Sequence, residues 1–426
     1  MFGSAKCLTL AGGILASLLL LPVLVPLVGA ASDFDEDGWL VQDWYTRDGR
    51  IADGDELGCQ GMPGSDLARM PRTTAENCRE YLMQRTDASR WASAPLSFGI
   101  DMQQNPGFDS ADHSVLHEIG FAVHGFDTDH PGTAWHDAAD IPETDSDWWN
   151  LGYSGSLESA VTPLDEIKTL AEQGGMVNLF WQARIADLKL RTNNELVDWL
   201  ESEQAWYTTW GEAYSYSYHR SADSVQLERI DDSTYRASNG GSQIGDGIPN
   251  RLAWDVPVTR GIDIRNNTVL GVNLTTGPLD QLTLDDRVLR SGWRQQEGIL
   301  WLSISAGQNV TISVAGDAEL DMHPSSCGDL ESMDECNMDR RPRFFNNHSW
   351  ALTIAGFHTT DLFKWSSKFD ESPLRFTWLV EPAAVDGFQW GLVVLAGAVG
   401  IGTVLYARHL ISSDSEAQER VVLESE

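Results

Sequence analysis

Positively charged residues are scarce in this chain of 426 residues, which has 29 lysines and arginines against 63 aspartates and glutamates. The net charge of -34 argues against binding to nucleic acid or to anionic lipid, because both partners require a basic surface. The acidic residues are spread along the sequence rather than gathered in runs. They therefore indicate a solubilising surface suited to a salty habitat.

Cysteine is also scarce, with five residues in the chain and no Cys-x-x-Cys pair that would indicate a thiolate zinc site or a redox site. Apart from Cys7, the cysteines form two close pairs in the sequence, Cys59 with Cys78 and Cys327 with Cys336. An even number in an exported body predicts disulfides. Four cysteines allow three connectivities, and nearest-neighbour pairing is one of them.

Long apolar runs stand near the two ends of the chain. Residues 1–31 hold an apolar run that ends in small residues, which predicts a signal peptide or, if it is not cleaved, an N-terminal membrane anchor. Residues 388–407 contain about twenty apolar residues without a charge, which predicts a single transmembrane helix. Residues 408–426 begin with a basic pair and form the predicted cytoplasmic tail. The body, residues 32–387, is then expected outside the cell.

The body divides into regions of different pattern. Residues 32–93 are acidic and contain the first cysteine pair. Residues 94–230 alternate between strand-like and helix-like stretches, which predicts an α/β domain with parallel strands. Residues 231–320 hold short strand patterns separated by Gly, Asn and Asp turns, which predicts a β-sandwich. Residues 321–387 contain the second cysteine pair and form the predicted juxtamembrane β region.

Within the α/β domain, several stretches carry clear patterns. The sequence PLDEIKTLAEQGG predicts a helix that is stopped by Gly174, and MVNLFWQA predicts a buried strand. The sequence NNELVDWLESEQ predicts a capped amphipathic helix, and AWYTTWGEAYSYSYHR predicts a strand that runs into a helix. Upstream, APLSFGID predicts a short strand that ends at Asp101.

Histidine is concentrated in and around the stretch LHEIGFAVHGFDTDHPG at residues 116–132. One interpretation is an amphipathic helix on which His113, His117 and His124 share a solvated face. The alternative is a strand that ends near His124, followed by a loop that holds His130. The alternative places these imidazoles where α/β barrels bind ligands, and imidazole with carboxylate suits zinc. In either case we expect His113 and His117 to face solvent.

The stretch HEIGFAVHGFDTDHP resembles the metal-binding motif of the polysaccharide deacetylase family (the NodB-homology domain, carbohydrate esterase family 4). A second similarity follows in the family's order and includes the phrase formed by Trp206, Thr209, Glu212 and Tyr216. The resemblance implies an α/β fold, a deformed or incomplete β/α barrel, followed here by the all-β sandwich. It also implies a membrane-anchored, metal-dependent enzyme that hydrolyses the N-acetyl groups of surface glycan.

The resemblance further implies a site. His124 and His130 match the family's two metal-binding histidines, and Asp101 is the nearest match to its aspartates. Asp101 then acts as a metal ligand and as the catalytic carboxylate, with zinc as the expected divalent metal. The sequence departs from the family pattern in several places: the first motif keeps one aspartate instead of two, and the histidine spacer is longer by two residues. No arginine lies between residues 125 and 183, and Gln182 stands about where the acid histidine is expected.

These departures leave a second function open, that of a catalytically degenerate, deacetylase-like surface protein that binds glycan or a protein partner. A third possibility is a structural envelope protein, in which the 17 tryptophans are core and interface anchors. The α/β domain is also short for a barrel, unless residues 40–93 supply its first strands.

Overall fold

The structure is a computed structural model of the chain, in which Glu36–Ala383 forms one compact unit. The terminal segments Met1–Asp35 and Ala384–Glu426 form the second unit. The residues that the structure describes are 49–62, 65–100, 107–108, 110–124, 149–158, 161–182, 194–222, 225–240, 252–323, 343–357, 369, 371–381 and 398–413.

The strands of the larger unit are short, and in the described residues they lie between Glu56 and Val380. In chain order they are Glu56–Cys59 (β1), Val123–His124 (β2), Trp149–Asn150 (β3), Gly155–Ser156 (β4), Met176–Gln182 (β5), Trp206–Thr208 (β6), Val225–Arg229 (β7), Thr234–Asn239 (β8), Val258–Asp263 (β9), Val269–Leu274 (β10), Gly277–Pro278 (β11), Gly292–Gln296 (β12), Ile299–Ile304 (β13), Asn309–Val314 (β14), Asp321–Met322 (β15), Ala351–Phe357 (β16) and Phe376–Val380 (β17).

The helices of this unit lie between the strands. They are Arg50–Asp53 (α1), Pro71–Met83 (α2), Ser110–Ile119 (α3), Leu164–Gln173 (α4), Glu195–Ser202 (α5) and Trp210–Ala222 (α6). Three of them confirm sequence predictions. Helix α4 stops at Gly174, whose φ of 71° suits glycine. Asn194 caps α5 by accepting a hydrogen bond from the Val197 N–H, and α6 directly follows β6.

One sheet is parallel throughout, which confirms the predicted α/β character. Its order is β1-β17-β16-β5-β4, and β6 pairs with the beginning of β16. Parallel bridges continue from β1 to residues 97–98 and from there to β2, which pairs with β3. Because β3 and β4 belong to one segment, 149–156, the parallel pairing follows a closed circuit that returns to β1.

This circuit extends beyond residues 94–230, the range predicted for the α/β domain. Strand β1 comes from residues 40–93, as the shortness of that range required. Strands β16 and β17 come from residues 321–387, so this region completes the parallel sheet and does not form a separate β region. Sequence reasoning missed this because a sheet can join strands that are far apart in the chain.

The antiparallel strands lie between α6 and β16 and form two sheets. Their orders are β11-β10-β14-β8-β7 and β12-β13-β9-β15. Alternate residues of both sheets meet in one hydrophobic core, to which β8 contributes Tyr235, β13 contributes Leu302 and β14 contributes Ile312. These sheets are the two-layer antiparallel arrangement that the pattern of residues 231–320 predicts.

Cys59 and Cys78 form a disulfide with a Cα–Cα distance of 6.1 Å, which confirms this predicted pairing. The bond joins β1 to α2 and therefore fixes the first helix of the circuit against its strand. The other predicted pair, Cys327 with Cys336, lies outside the described residues.

The predicted transmembrane helix at residues 388–407 is not supported. A helix covers residues 398–413, and residues 388–397 lie outside the described part of the chain. Among the described residues, no helix combines the length and the apolar character needed to cross a membrane. The predicted leader at residues 1–31 also lies outside the described part.

Candidate functional site

The described part of the histidine-rich stretch, residues 116–124, contains the end of a helix followed by a strand, so each sequence interpretation was right for one part of it. Helix α3 stops at Gly120, whose φ of 113° is open to glycine but not to other residues. The N–H groups of Gly120 and Phe121 both donate to the Leu116 carbonyl, which completes the turn. Two residues later the chain enters β2, which ends at His124.

His124 is the last residue of a parallel strand, and its side chain is buried, with 2% of its surface exposed. Its carbonyl accepts a hydrogen bond from the Leu151 N–H, which holds the strand end against the neighbouring segment. The carboxyl ends of parallel strands are where α/β folds bind ligands. The structure therefore places this predicted ligand at the end of the sheet that the sequence prediction required.

His113 contacts His124 across the junction between α3 and β2. Their ring centroids are 5.2 Å apart with an interplanar angle of 47°, and Phe108 lies 5.1 Å from the other side of the His113 ring. His113 and His117 are half-buried, so each is only partly exposed to solvent. The Nδ1 atom of His117 is buried without a hydrogen-bond partner.

The other two predicted site residues, Asp101 and His130, lie outside the described residues. Gln182 is described as the last residue of β5, opposite Phe357 of β16. The position expected for an acid histidine therefore does end a parallel strand. Within the described residues, no group of three or more His, Cys, Asp or Glu side chains is arranged to hold a metal.

An aromatic surface lies near the same ends of the strands. Phe180 of β5 and Phe357 of β16 have ring centroids 5.2 Å apart, and both contact Trp210 from the side of the sheet that the circuit encloses. Tyr153 stacks on Phe180 at 5.3 Å and has 50% of its surface exposed. The rings of Tyr153, Phe180 and Phe357 therefore form an aromatic surface that runs from the buried core to the exposed ring of Tyr153.

Sequence reasoning missed a buried carboxylate at the start of β1. Glu56, the first residue of β1, accepts hydrogen bonds from the Ser97 hydroxyl and from the Gly211 N–H at 2.8 Å. Burial raises the pKa of Glu56 from 4.5 to about 7, and the hydrogen bonds from Ser97, Thr209 and Gly211 offset part of that effect. The local sequence around a carboxylate at the start of a strand does not predict that the carboxylate is buried.

The phrase that carried the second family similarity turns out to organise the packing of α6. Glu212 is 2% exposed and accepts hydrogen bonds from Arg90 at 2.9 Å and from the Trp91 indole N–H at 2.6 Å. The rings of Trp206 and Tyr216 are 4.7 Å apart. These contacts give the phrase a structural role in the packing of α6.

Comparison with known proteins returned nothing: no protein-family model, no curated protein and no solved structure matches this chain.

Proposed function

We propose that this chain is an exported, metal-dependent, deacetylase-like protein that hydrolyses the N-acetyl groups of a glycan. The observation that carries the proposal is the buried imidazole of His124 at the carboxyl end of a parallel strand. The closed circuit of parallel strands agrees with the β/α barrel that the sequence resemblance implies. The disulfide between Cys59 and Cys78 agrees with an oxidising location outside the cell.

The proposed metal ligands are His124, His130 and Asp101. Of these, His124 is supported by its position, because it is a buried imidazole at the end of a parallel strand. When bound, a divalent metal supplies Lewis acidity for amide hydrolysis. Asp101 is the proposed base that takes the proton from the attacking water.

The aromatic surface formed by Tyr153, Phe180 and Phe357 supports a glycan as the substrate. The exposed ring of Tyr153 offers a flat apolar face with a hydroxyl at its edge. A pyranose ring has an apolar face of C–H groups and a polar rim, so the two surfaces are complementary. In this proposal the aromatic surface positions the sugar, while the residues at the strand ends act on its acetamido group.

A specific observation favours a second function, glycan binding without catalysis. Gln182 ends β5 at the position expected for the acid histidine, and an amide cannot protonate a leaving amine. The sequence also has no arginine between residues 125 and 183. In this second proposal the strand ends and the aromatic surface hold the glycan, and no bond is cleaved.

The test measures bound metal and acetate release from N-acetylglucosamine oligomers by the purified chain. Variants His124→Ala and His130→Ala are expected to lose both, whereas His323→Ala, in the antiparallel region beside Asp263, is the control and should lose neither. If the two variants keep the metal and the activity of the native chain, the enzyme proposal is wrong. Glycan binding without acetate release from the native chain would favour the second function.

A further inference from the structure

We infer that His113 is a second imidazole ligand of the divalent metal for which His124 is proposed. The inference rests on the proposed function, because it concerns the same metal. Sequence reasoning placed His113 on a solvated helix face, but the structure brings its ring to 5.2 Å from that of His124. The two residues come from different elements, α3 and β2, which the turn at Gly120 brings together.

The ring separation is the one that a shared metal requires. An imidazole nitrogen binds zinc at about 2.0–2.1 Å, so two imidazoles on one tetrahedral ion have ring centroids about 5 Å apart. The 47° angle between the two planes also departs from the parallel stacking that would bring the ring faces together.

The surroundings of His113 hold its ring in place. The ring centroids of Phe108 and His113 are 5.1 Å apart, and this aromatic contact limits the rotation of the His113 ring. Helix α3 is in turn fixed to α2 by the ion pair between Arg72 and Glu118, which is exposed. His117, one turn further along α3, has no ring contact of this kind among the described residues, so it provides a matched control on the same helix.

The experiment titrates the metal-free full chain with Co²⁺, which follows zinc in its choice of imidazole ligands and absorbs visible light when it is bound. Calorimetry gives the dissociation constant of Co²⁺, and the absorption spectrum reports which ligands surround the ion. The informative variant is His113→Phe, because phenylalanine keeps the contacts with Phe108 and His124 but has no nitrogen donor. His124→Ala tests the proposed metal site itself, and His117→Ala is the control.

We expect His113→Phe and His124→Ala each to weaken Co²⁺ binding by about 10–100-fold and to change the spectrum, and His117→Ala to do neither. If His113→Phe binds Co²⁺ like the native chain while His124→Ala is weakened, the inference is wrong and the proposed metal site stands. If His124→Ala also binds like the native chain, the proposed metal site fails together with the inference.

Discussion

The two ends of the parallel strands use their polar residues differently. At the amino ends, the buried charged groups of Asp55, Glu56 and Glu212 are each held by several hydrogen bonds. At the carboxyl ends, the notable residues are His124 and the exposed ring of Tyr153. The amino ends therefore hold buried carboxyl groups that stabilise the fold, and at the carboxyl ends Tyr153 offers an exposed ring that a ligand can reach.

Asp55 is the clearest example of a buried stabilising group at the amino ends, because it connects the start of β1 to β17. Its carboxylate accepts hydrogen bonds from Arg50, from the Phe376 N–H at 3.1 Å and from the Trp378 indole N–H at 2.9 Å. Arg50 also donates to the carbonyls of Phe369 and of other residues in the segment before β17. One buried ion pair thus ties β1 to the distant segment that completes the sheet.

The largest expected effect follows from breaking this pair. The variant Asp55→Ala leaves the guanidinium of Arg50 buried without its carboxylate, and we expect a loss of about 3–5 kcal/mol in the free energy of unfolding. Urea denaturation followed by tryptophan fluorescence measures it. Glu228→Ala, which removes an exposed ion pair with Arg236, is the control and should cost at most about 1 kcal/mol. Equal effects of the two variants would contradict the stabilising role of the amino ends.

A second large effect is expected from the disulfide. Cys59 and Cys78 are 19 residues apart in the sequence, and a closed loop of this size restricts the unfolded chain by about 3 kcal/mol. The double variant Cys59→Ala/Cys78→Ala should therefore unfold at a lower urea concentration. Reduction of the native chain by dithiothreitol should produce a similar shift. A midpoint that stays unchanged in both cases would show that the bond does not stabilise the fold.

Glu56 makes the amino ends sensitive to pH. Its pKa is about 7 in the folded chain, above the ordinary value of 4.5, so folding favours the protonated form. The stability that this preference contributes is complete below about pH 4.5 and is lost as the pH rises through about 7. The loss is on the order of 3 kcal/mol, because one pKa unit corresponds to about 1.4 kcal/mol.

The variant Glu56→Gln tests this, because the amide is neutral at every pH. Its oxygen can still accept from the Gly211 N–H, and its NH2 group can donate to the Ser97 hydroxyl. We expect its stability, relative to that of the native chain, to increase between pH 4.5 and pH 8. Urea denaturation at several pH values measures the difference, in which the contributions of the groups common to both chains largely cancel. A difference that does not change with pH would contradict the raised pKa of Glu56.

The helices and strands with a local sequence pattern could be predicted, and the contacts between distant segments could not. The helix that stops at Gly174 and the helix capped by Asn194 depend on residues within a few positions of their ends. In contrast, the pairing of β1 with β17 joins residues about 320 positions apart, as in Glu56 with Thr377. No periodicity within either strand specifies such a partner.

The candidate site was predicted in the same uneven way. The position of His124 at a strand end was one of two interpretations that the local sequence left open. The contact between His113 and His124 could not be predicted, because it depends on the change from helix to strand at Gly120, which a single helical or extended pattern cannot represent. The burial of Glu56 depends on Ser97 and on the beginning of α6, and it is likewise invisible in the local sequence.

The smallest expected effect on stability, and the sharpest test of the carboxyl ends, comes from Tyr153. Half of its surface is exposed and its ring stacks on Phe180, so its removal leaves the core closed. We expect Tyr153→Ala to lower the free energy of unfolding by less than about 1 kcal/mol. The same change should weaken binding of an N-acetylglucosamine oligomer by about tenfold, which corresponds to about 1.4 kcal/mol.

Tyr153→Phe is the matched control, because it keeps the stacked ring and removes only the hydroxyl. It should bind the oligomer more tightly than Tyr153→Ala, and calorimetric titration of both variants with the same glycan gives the comparison. Asp55→Ala, studied without urea and at a temperature where it remains folded, should bind the oligomer like the native chain. If Tyr153→Ala binds normally while Asp55→Ala does not, the ligand lies elsewhere and the assignment of binding to the carboxyl ends is wrong.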